Sequence, residues 1–404
     1  MISRPDMPFP KRDISSKAHS WDGLVVLCAA NNYDSIKVAD QHMAEHLAKL
    51  VPVLYVDPPL SLLAPLRNPE MHHLRNGPGL RLQAPGLARL TPLVQPFPSR
   101  RRLTGVTASL ARHYLRKAIT RLGASICAVI SAWPQYSVFG SCNEEVSVYW
   151  AQDDFVGGAD LLGFNPEHLD VRERAVAATA NFIVAANPEV ADTWRKRGRE
   201  VALIPYGADV DAFINVDQAP MPSDVTLRGP IVGFVGQINS RTDLRLLENI
   251  ADRGRSLLLV GPKDPTFEPT RFGALLRRPN VSWVGPKPFD ALPSYLRTID
   301  VGIVPYGDSP FNHGSFPLKT LEYLAAGRAV VATDLPAIRW LATDLIAVTS
   351  EPGAFADHVD RILDEIRSSG LMARRRAFAA QHSWASRAGN MYDAILGQRS
   401  GHSA

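Results

Sequence analysis

Apolar residues recur along this chain in short unbroken runs, separated by stretches with helical spacing. Residues 24–29 and 51–57 read as buried strands, and 38–50 between them carries the apolar periodicity of a helix. Pro58 and Pro59 halt the second run. The pattern repeats at 126–131, 146–150, 181–186 and 201–205, which predicts a parallel sheet with helices on both faces. A first domain is therefore expected over 1–210, its first twenty residues a loosely tied leader.

Residues 211–230 read as a linker, because 215–230 is rich in proline and has no periodicity. A second alternating series follows at 231–235, 256–260, 281–284, 301–304, 329–333 and 345–348. It predicts a second domain of the same architecture over 231–380, with a last helix at 386–396 inside a terminal segment 381–404. The fold class expected is α/β, two Rossmann-like doubly wound domains facing across a cleft. Ligands of such sheets bind beyond the carboxyl ends of the strands, so polar residues at strand ends become site candidates.

Composition narrows the class without naming a chemistry. The 404 residues are 46% hydrophobic and 21% charged, ordinary for a soluble protein of two domains. No run reaches the roughly 18 to 20 apolar residues of a membrane span, and the N-terminus lacks a signal peptide's apolar centre. The expected compartment is the cytoplasm. Cys28, Cys127 and Cys142 have no metal-ligand spacing and read as buried thiols.

The net charge of +4 conceals a local excess. Between Arg67 and Arg121 lie eleven basic residues (67, 75, 81, 89, 100, 101, 102, 112, 116, 117 and 121) against one acid, Glu70. Residues 101–122 place apolar side chains near helical spacing among these charges, as a basic amphipathic helix on an anionic membrane would. A solvated helix face is the plainer alternative. Nucleic acid is not expected as a partner, since no aromatic platform or binding motif accompanies the charge.

The densest chemistry lies at 312–333. A Gly-Ser turn at Gly314 and Ser315 leads into a helix that ends at Gly327, and an apolar strand follows. Such a turn presents backbone N–H groups to an anion. Glu322 sits in this helix among apolar neighbours, where it needs a polar partner.

The segment Pro-Leu-Lys-Thr-Leu-Glu-Tyr-Leu-Ala-Ala-Gly, 317–327, resembles the retaining glycosyltransferases of the GT-B fold, family 4, and within them the bacterial branch that builds surface polysaccharides. The likeness extends to Ile-Pro-Tyr-Gly-Ala-Asp, 204–209, with Phe213. In that family two Glu separated by seven residues precede Ala-Ala-Gly, and the second binds the donor's ribose. Glu322 takes the second position; Gly314 stands at the first. The resemblance also implies a chain end that crosses back onto the first domain, with Trp384 at a position where a Trp is common.

Further site residues follow from the resemblance and from residue chemistry. Gly236, the N–H groups at Ser315 and Phe316, Arg241 and Lys319 would meet the diphosphate of a nucleotide sugar, and Lys287 lies where members contact the base. Arg241 and Lys319 also read as plain exposed residues. Asp153 and Asp154 follow an apolar strand; one could accept an acceptor hydroxyl's proton or orient the sugar, or the pair could cap a turn. Adjacent side chains on extended backbone point apart, so only one should face the cleft. Asn31, Asn32, Tyr33 and Trp133 have the polar and aromatic mix that suits a glycan or lipid-linked acceptor. No motif demands a metal or other cofactor, and Gly-Phe-Val-Gly at 233–236 is too short for a dinucleotide fingerprint.

The expected function is transfer of a sugar from a nucleoside diphosphate sugar, with retention, at the inner face of a membrane. The rivals are a nucleotide-sugar epimerase of the same fold and a catalytically weak nucleotide-binding protein.

Overall fold

The computed structural model describes residues 20–68, 71, 74, 79–98, 100, 102–364 and 368–402. The leader, the His72-His73 pair, Arg75 and Arg101 lie outside the described residues, as does the side chain of Arg67.

Two parallel sheets carry the chain. In the first the spatial order is Val201–Leu203, Phe182–Ala185, Val146–Ala151, Ile126–Ser131, Leu24–Cys28, Val53–Val56, Leu87–Thr91 and Gly79–Ala84. All neighbours run parallel except the last pair, an antiparallel hairpin at the edge. The second sheet has the order Val281–Trp283, Ser256–Val260, Ile231–Val235, Val301–Val304, Ala329–Ala332 and Ile346–Val348, and its pairs are parallel throughout. The central strands are buried on both faces, which is why they read as unbroken apolar runs.

The edge hairpin was not expected, and the reason is Arg89. Its alternating strand carries a cation that solvent would ordinarily claim. Here Arg89 is buried and donates to Asp57 at 2.8 Å, Asp34 at 2.7 Å and Asn32 at 3.0 Å. A guanidinium so satisfied can stand inside a sheet.

The basic stretch needs a second correction. The helix Thr104–Leu122 forms, but its apolar face packs Leu115, Ala118 and Leu122 into a core with Leu24, Val26 and Leu54. Those three side chains are therefore not available to lipid, whereas Val106 on the first turn is 48% exposed. Arg81 donates to Thr91 and Arg112 to the carbonyl of Ser137, so both are structural. Arg100, Arg102, Arg116, Lys117 and Arg121 remain exposed as a basic rim. Of the cysteines, Cys28 and Cys127 are buried as expected, while Cys142 is only half-buried; all three are free thiols.

The chain passes between the two sheets twice, and the two passages touch. Ala208 pairs with Ser383, its N–H donating to the His382 carbonyl and its own carbonyl accepting from Trp384, at 2.9 and 3.0 Å. Gly207 is needed there, because a Cβ would come within 2.6 Å of the Ser383 and Trp384 backbone. The helix Trp384–His402 then lies along the first-domain helix Ala39–Leu47. Trp384 is fully buried, stacked on His42 at 5.4 Å and beside Tyr206 at 5.8 Å. His42 has no hydrogen-bond partner on either ring nitrogen, and burial, with Lys37 and Lys319 nearby, pushes its pKa down to about 2. It serves as a neutral aromatic wedge.

The segment 215–230 is strapped to the second domain. Asp217 binds Arg328 and Arg376, each at 2.6 Å, and Asp224 binds Lys287 at 2.6 Å.

Replacing Trp384 by Ala empties a fully buried indole site. Stability should fall by about 3–5 kcal/mol, measured by urea denaturation followed with circular dichroism.

Candidate functional site

The site is assembled where the first sheet's carboxyl edge meets residues 313–315 of the second domain. The strand Val146–Ala151 ends in Gln152, Asp153 and Asp154, and the two acids diverge. Asp153 turns toward the second domain, where Ser315 Oγ donates to it at 2.8 Å. Tyr206 Oη lies 3.5 Å from its other oxygen while donating to the Gln152 carbonyl at 2.9 Å. Asp154 instead accepts the Gly157 N–H at 2.8 Å, closing a local turn.

Burial of the Asp153 carboxyl pushes its pKa up to about 6, against the opposing pull of Arg241 and of the Ser315 and Tyr206 hydrogen bonds. The polar chain continues inward. Gln152 Nε2 donates to Asp40 at 2.6 Å, and Asp40 also accepts the Asn31 backbone and side-chain amides at 3.0 and 2.8 Å.

Three further contacts cross between the domains. Asn187 caps the helix Pro188–Lys196 with its oxygen and sends its amide to the carbonyls of His313 at 3.1 Å and Ser315 at 2.6 Å. The Asp154 N–H donates to the Gly314 carbonyl at 3.2 Å. A Cβ on Gly314 would lie 2.3 Å from Asp154 Cβ, and one on Gly158 would lie 2.3 Å from the Phe311 ring. The first-domain loop occupies the space that a Glu at 314 would need.

On the second domain, Arg241 follows the strand Ile231–Val235. Its Nε donates to Asn312 at 2.9 Å and its guanidinium lies over Tyr306 and Phe311 at 4.6 and 4.9 Å. Asn312 is itself buried, donating to the carbonyls of Arg241 and Gly307. Gly236 passes under Gly261, where a Cβ would meet the Gly236 carbonyl at 2.0 Å.

The helix Leu318–Ala325 begins after Pro317. Proline has no N–H, and that of Leu318 turns back to the Phe316 carbonyl at 2.9 Å, so the amides facing an anion are fewer than expected. Phe316 itself is buried between Tyr206 and Trp340. Glu322 is 3% exposed and its partner is Lys319 at 2.5 Å.

The remaining candidates divide. Asn31 joins the Asp153 network through Asp40. Asn32 is held by Arg89, and Tyr33 donates its hydroxyl to Glu45 at 2.9 Å, so both stand as framework. Lys287 is paired to Asp224, apart from the residues gathered at Ser315. Trp133 lies edge-on to Phe164 at 5.9 Å, beside a cavity of the first domain. Sequence reasoning missed Tyr206 and Asn187, and it gave no individual role to Gln152 or Asn312, which lie at the edges of segments it singled out. The Asn-Pro step at 187–188 signalled a helix cap, but nothing local shows that its amide reaches 313–315.

A cavity of about 250 Å³ opens beneath this junction, with Asp153, Asp154, Glu173, Arg197 and His313 on its walls. Glu173 accepts the Tyr149 hydroxyl at 2.7 Å, and burial raises its pKa to about 7. Among the described residues no group of three or more His, Cys, Asp or Glu could hold a metal ion.

Residues 229–365, which supply Gly236, Arg241, Lys319 and Glu322, match the family model described as glycosyl transferases group 1. Residues 229–365 are thus similar to a group 1 glycosyl transferase domain. The chain is 34% identical over 194 residues to a Bacillus subtilis protein described as a teichuronic acid biosynthesis glycosyltransferase, TuaH, covering 46% of this chain and 49% of that one. The chain thus spans about half the length of that curated relative in the match. Among solved structures it is similar to a sucrose-phosphate synthase from Thermosynechococcus elongatus, with a TM-score of 0.70 and 18% identity, covering 93% and 99% of the two chains. It is also similar to Anabaena HepE in complex with UDP and glucose, with a TM-score of 0.64, 12% identity and the same coverage. The fold is GT-B.

Two outcomes follow for the junction. Gly314→Ala should cost about 1–3 kcal/mol by overpacking against Asp154, seen as a lower thermal midpoint, and the added change Asp154→Gly should restore most of it. For Asp153, the folded pKa near 6 exceeds the usual carboxylate value of about 3.9. The unfolded chain loses this proton first, so stability should decline as pH rises from about 4 to about 6 and level off above. Asp153→Asn should flatten that part of the pH profile in urea denaturation.

Proposed function

We propose that this chain transfers a sugar from a nucleoside diphosphate sugar to a glycan or lipid-linked acceptor, with retention at the anomeric carbon. The observation that carries the reading is the juxtaposition at Ser315. A domain similar to the group 1 glycosyl transferases brings Arg241, Lys319 and Glu322 to the strand ends there, with the first domain's Asp153 bonded across the junction. Residues 1–210 are assigned to the acceptor side, 211–230 to a linker and 231–380 to the nucleotide side, with 381–404 returning to the first domain.

In this reading Glu322 exchanges Lys319 for the ribose hydroxyls, which offer a buried carboxylate two donors. The freed Lys319 and Arg241 then oppose the charge that builds on the departing diphosphate. The backbone at Gly236, Ser315 and Phe316 approaches the same group, and Lys287 flanks the base. Asp153 accepts the acceptor hydroxyl's proton or holds that hydroxyl in line; Asp154, tied into its turn, positions the loop. Asn31 and Trp133 border the acceptor, behind which Asn32 and Tyr33 form the wall. HepE was solved with UDP and glucose, and this supports a UDP sugar as the first donor to test.

No helix among the described residues is long and apolar enough to cross a membrane. The exposed basic rim from Arg100 to Arg121 supports attachment to an anionic surface by charge, each residue contributing about 1 kcal/mol near the membrane.

Glu322→Ala should weaken UDP, GDP or dTDP binding by about ten- to a hundredfold, the loss of a charge-assisted hydrogen bond, in titration calorimetry; equal binding would remove the ribose assignment. Mass spectrometry with a panel of nucleotide sugars separates the rivals. Sugar transfer supports this reading, an isomerised nucleotide sugar supports an epimerase, and bound but unchanged donor supports a binding protein. Flotation with anionic liposomes should succeed at low salt and fail at high salt.

A further inference from the structure

Ser315 has a hydroxyl with one hydrogen, and it places that hydrogen on Asp153 Oδ1, in the other domain, at 2.8 Å. The Tyr206 hydroxyl does not duplicate this bond. Its own hydrogen goes to the Gln152 carbonyl at 2.9 Å, and it lies 3.5 Å from Asp153 Oδ2, at the limit of a useful bond. Among the charged groups around the carboxylate, Arg241 favours its ionised form and Asp154 opposes it. Glu173, Glu189, Arg197 and His313 line the same cavity, and among the described residues none of them bonds to it.

Ser315 is held at each of its polar atoms. Its N–H donates to the Asn312 carbonyl at 3.4 Å, its carbonyl accepts the Asn187 amide at 2.6 Å, and its hydroxyl goes to Asp153. The residue is 2% exposed, so solvent offers the hydroxyl little alternative.

Asn312 carries the connection onward. Its side-chain oxygen accepts Arg241 Nε at 2.9 Å, and its amide donates to the Arg241 carbonyl at 3.0 Å. Arg241, Asn312, Ser315 and Asp153 therefore form one hydrogen-bonded series, from a cation of the second domain to a carboxylate of the first. A serine that merely filled space would leave a neighbouring carboxyl indifferent to its loss. One that donates to the ionised form favours that form, and this donor is present only while the domains touch.

We propose that Ser315 is a positioning residue for Asp153: its hydroxyl crosses from the second domain to hold that carboxylate in one orientation, so that Asp153 is ready to take a proton only with the two domains in contact. Assigning that proton to an acceptor hydroxyl rests on the glycosyltransferase reading above; the Ser315 contact itself does not.

Two measurements on the full chain test this, and the first needs no activity. The fall in stability with rising pH that Asp153 produces should run on to higher pH in Ser315→Ala, its end point moving up by about one pH unit, as loss of a hydrogen bond to a charged group implies. Tyr206→Phe should move it by less than half as much, and Ser315→Ala combined with Asp153→Asn should remove this part of the profile. Thermal midpoints at low pH show whether each variant folds. The second measurement is the pH profile of sugar transfer from whichever UDP sugar supports it. In Ser315→Ala the acid limb of kcat should shift upward with the stability profile, while the donor KM stays within about twofold. An unchanged end point in Ser315→Ala, an equal shift in Tyr206→Phe, or an acid limb that stays in place overturns the proposal. If no nucleotide sugar is transferred while the stability shift appears, the glycosyltransferase reading fails and the Ser315 contact with Asp153 stands.

Discussion

The structure depends on how three residues of the first domain hold the turn 313–315 of the second. Asp153 takes the Ser315 hydroxyl, Asn187 takes two carbonyls, and the Asp154 backbone takes a third. Hydrogen bonds to a buried turn matter less for their net strength than for the cost of leaving such groups unpaired. The carbonyls of 313–315 point out of their own domain, so either the first domain or a ligand must satisfy them. That requirement fixes the approach of the two sheets and explains the small residues at 158 and 314.

Around this junction the buried acids are graded by how they are satisfied. Asp57 is paired with the buried Arg89 at 2.8 Å. Asp40 has only amide donors, and burial raises its pKa. Asp153 has hydroxyl donors from both domains with Arg241 nearby, and it titrates near 6. Only the last of these couples its proton to the relative position of the domains.

Much of the architecture was legible because a strand buried on both faces leaves an unbroken apolar run. The strands at 24–28, 126–131, 231–235 and 301–304 were read with nearly their observed bounds. The hairpin at 79–91 was not, because Arg81 and Arg89 look like surface charge until their partners, distant in sequence, are known. Charges held inside the fold likewise enlarged the apparent basic patch, and the core takes part of the apolar face of the helix Thr104–Leu122. In the site, Arg241, Lys319 and Glu322 stood out by motif. Tyr206, Asn187 and Asn312 did not, since their roles come from contacts across many residues of sequence. Gly314 read as a missing acid, and its cause became visible only when Asp154 was seen against it.

The paired passages at Ala208 and Ser383 have a mechanical consequence. A single connecting segment would let one lobe swivel about any axis through it. Two segments joined side by side by backbone hydrogen bonds resist twisting about either one. Gly207, which lets the two passages touch, follows Tyr206, whose ring packs on Phe316 and whose hydroxyl lies 3.5 Å from Asp153, so the paired passages and the junction at Ser315 form one continuous unit.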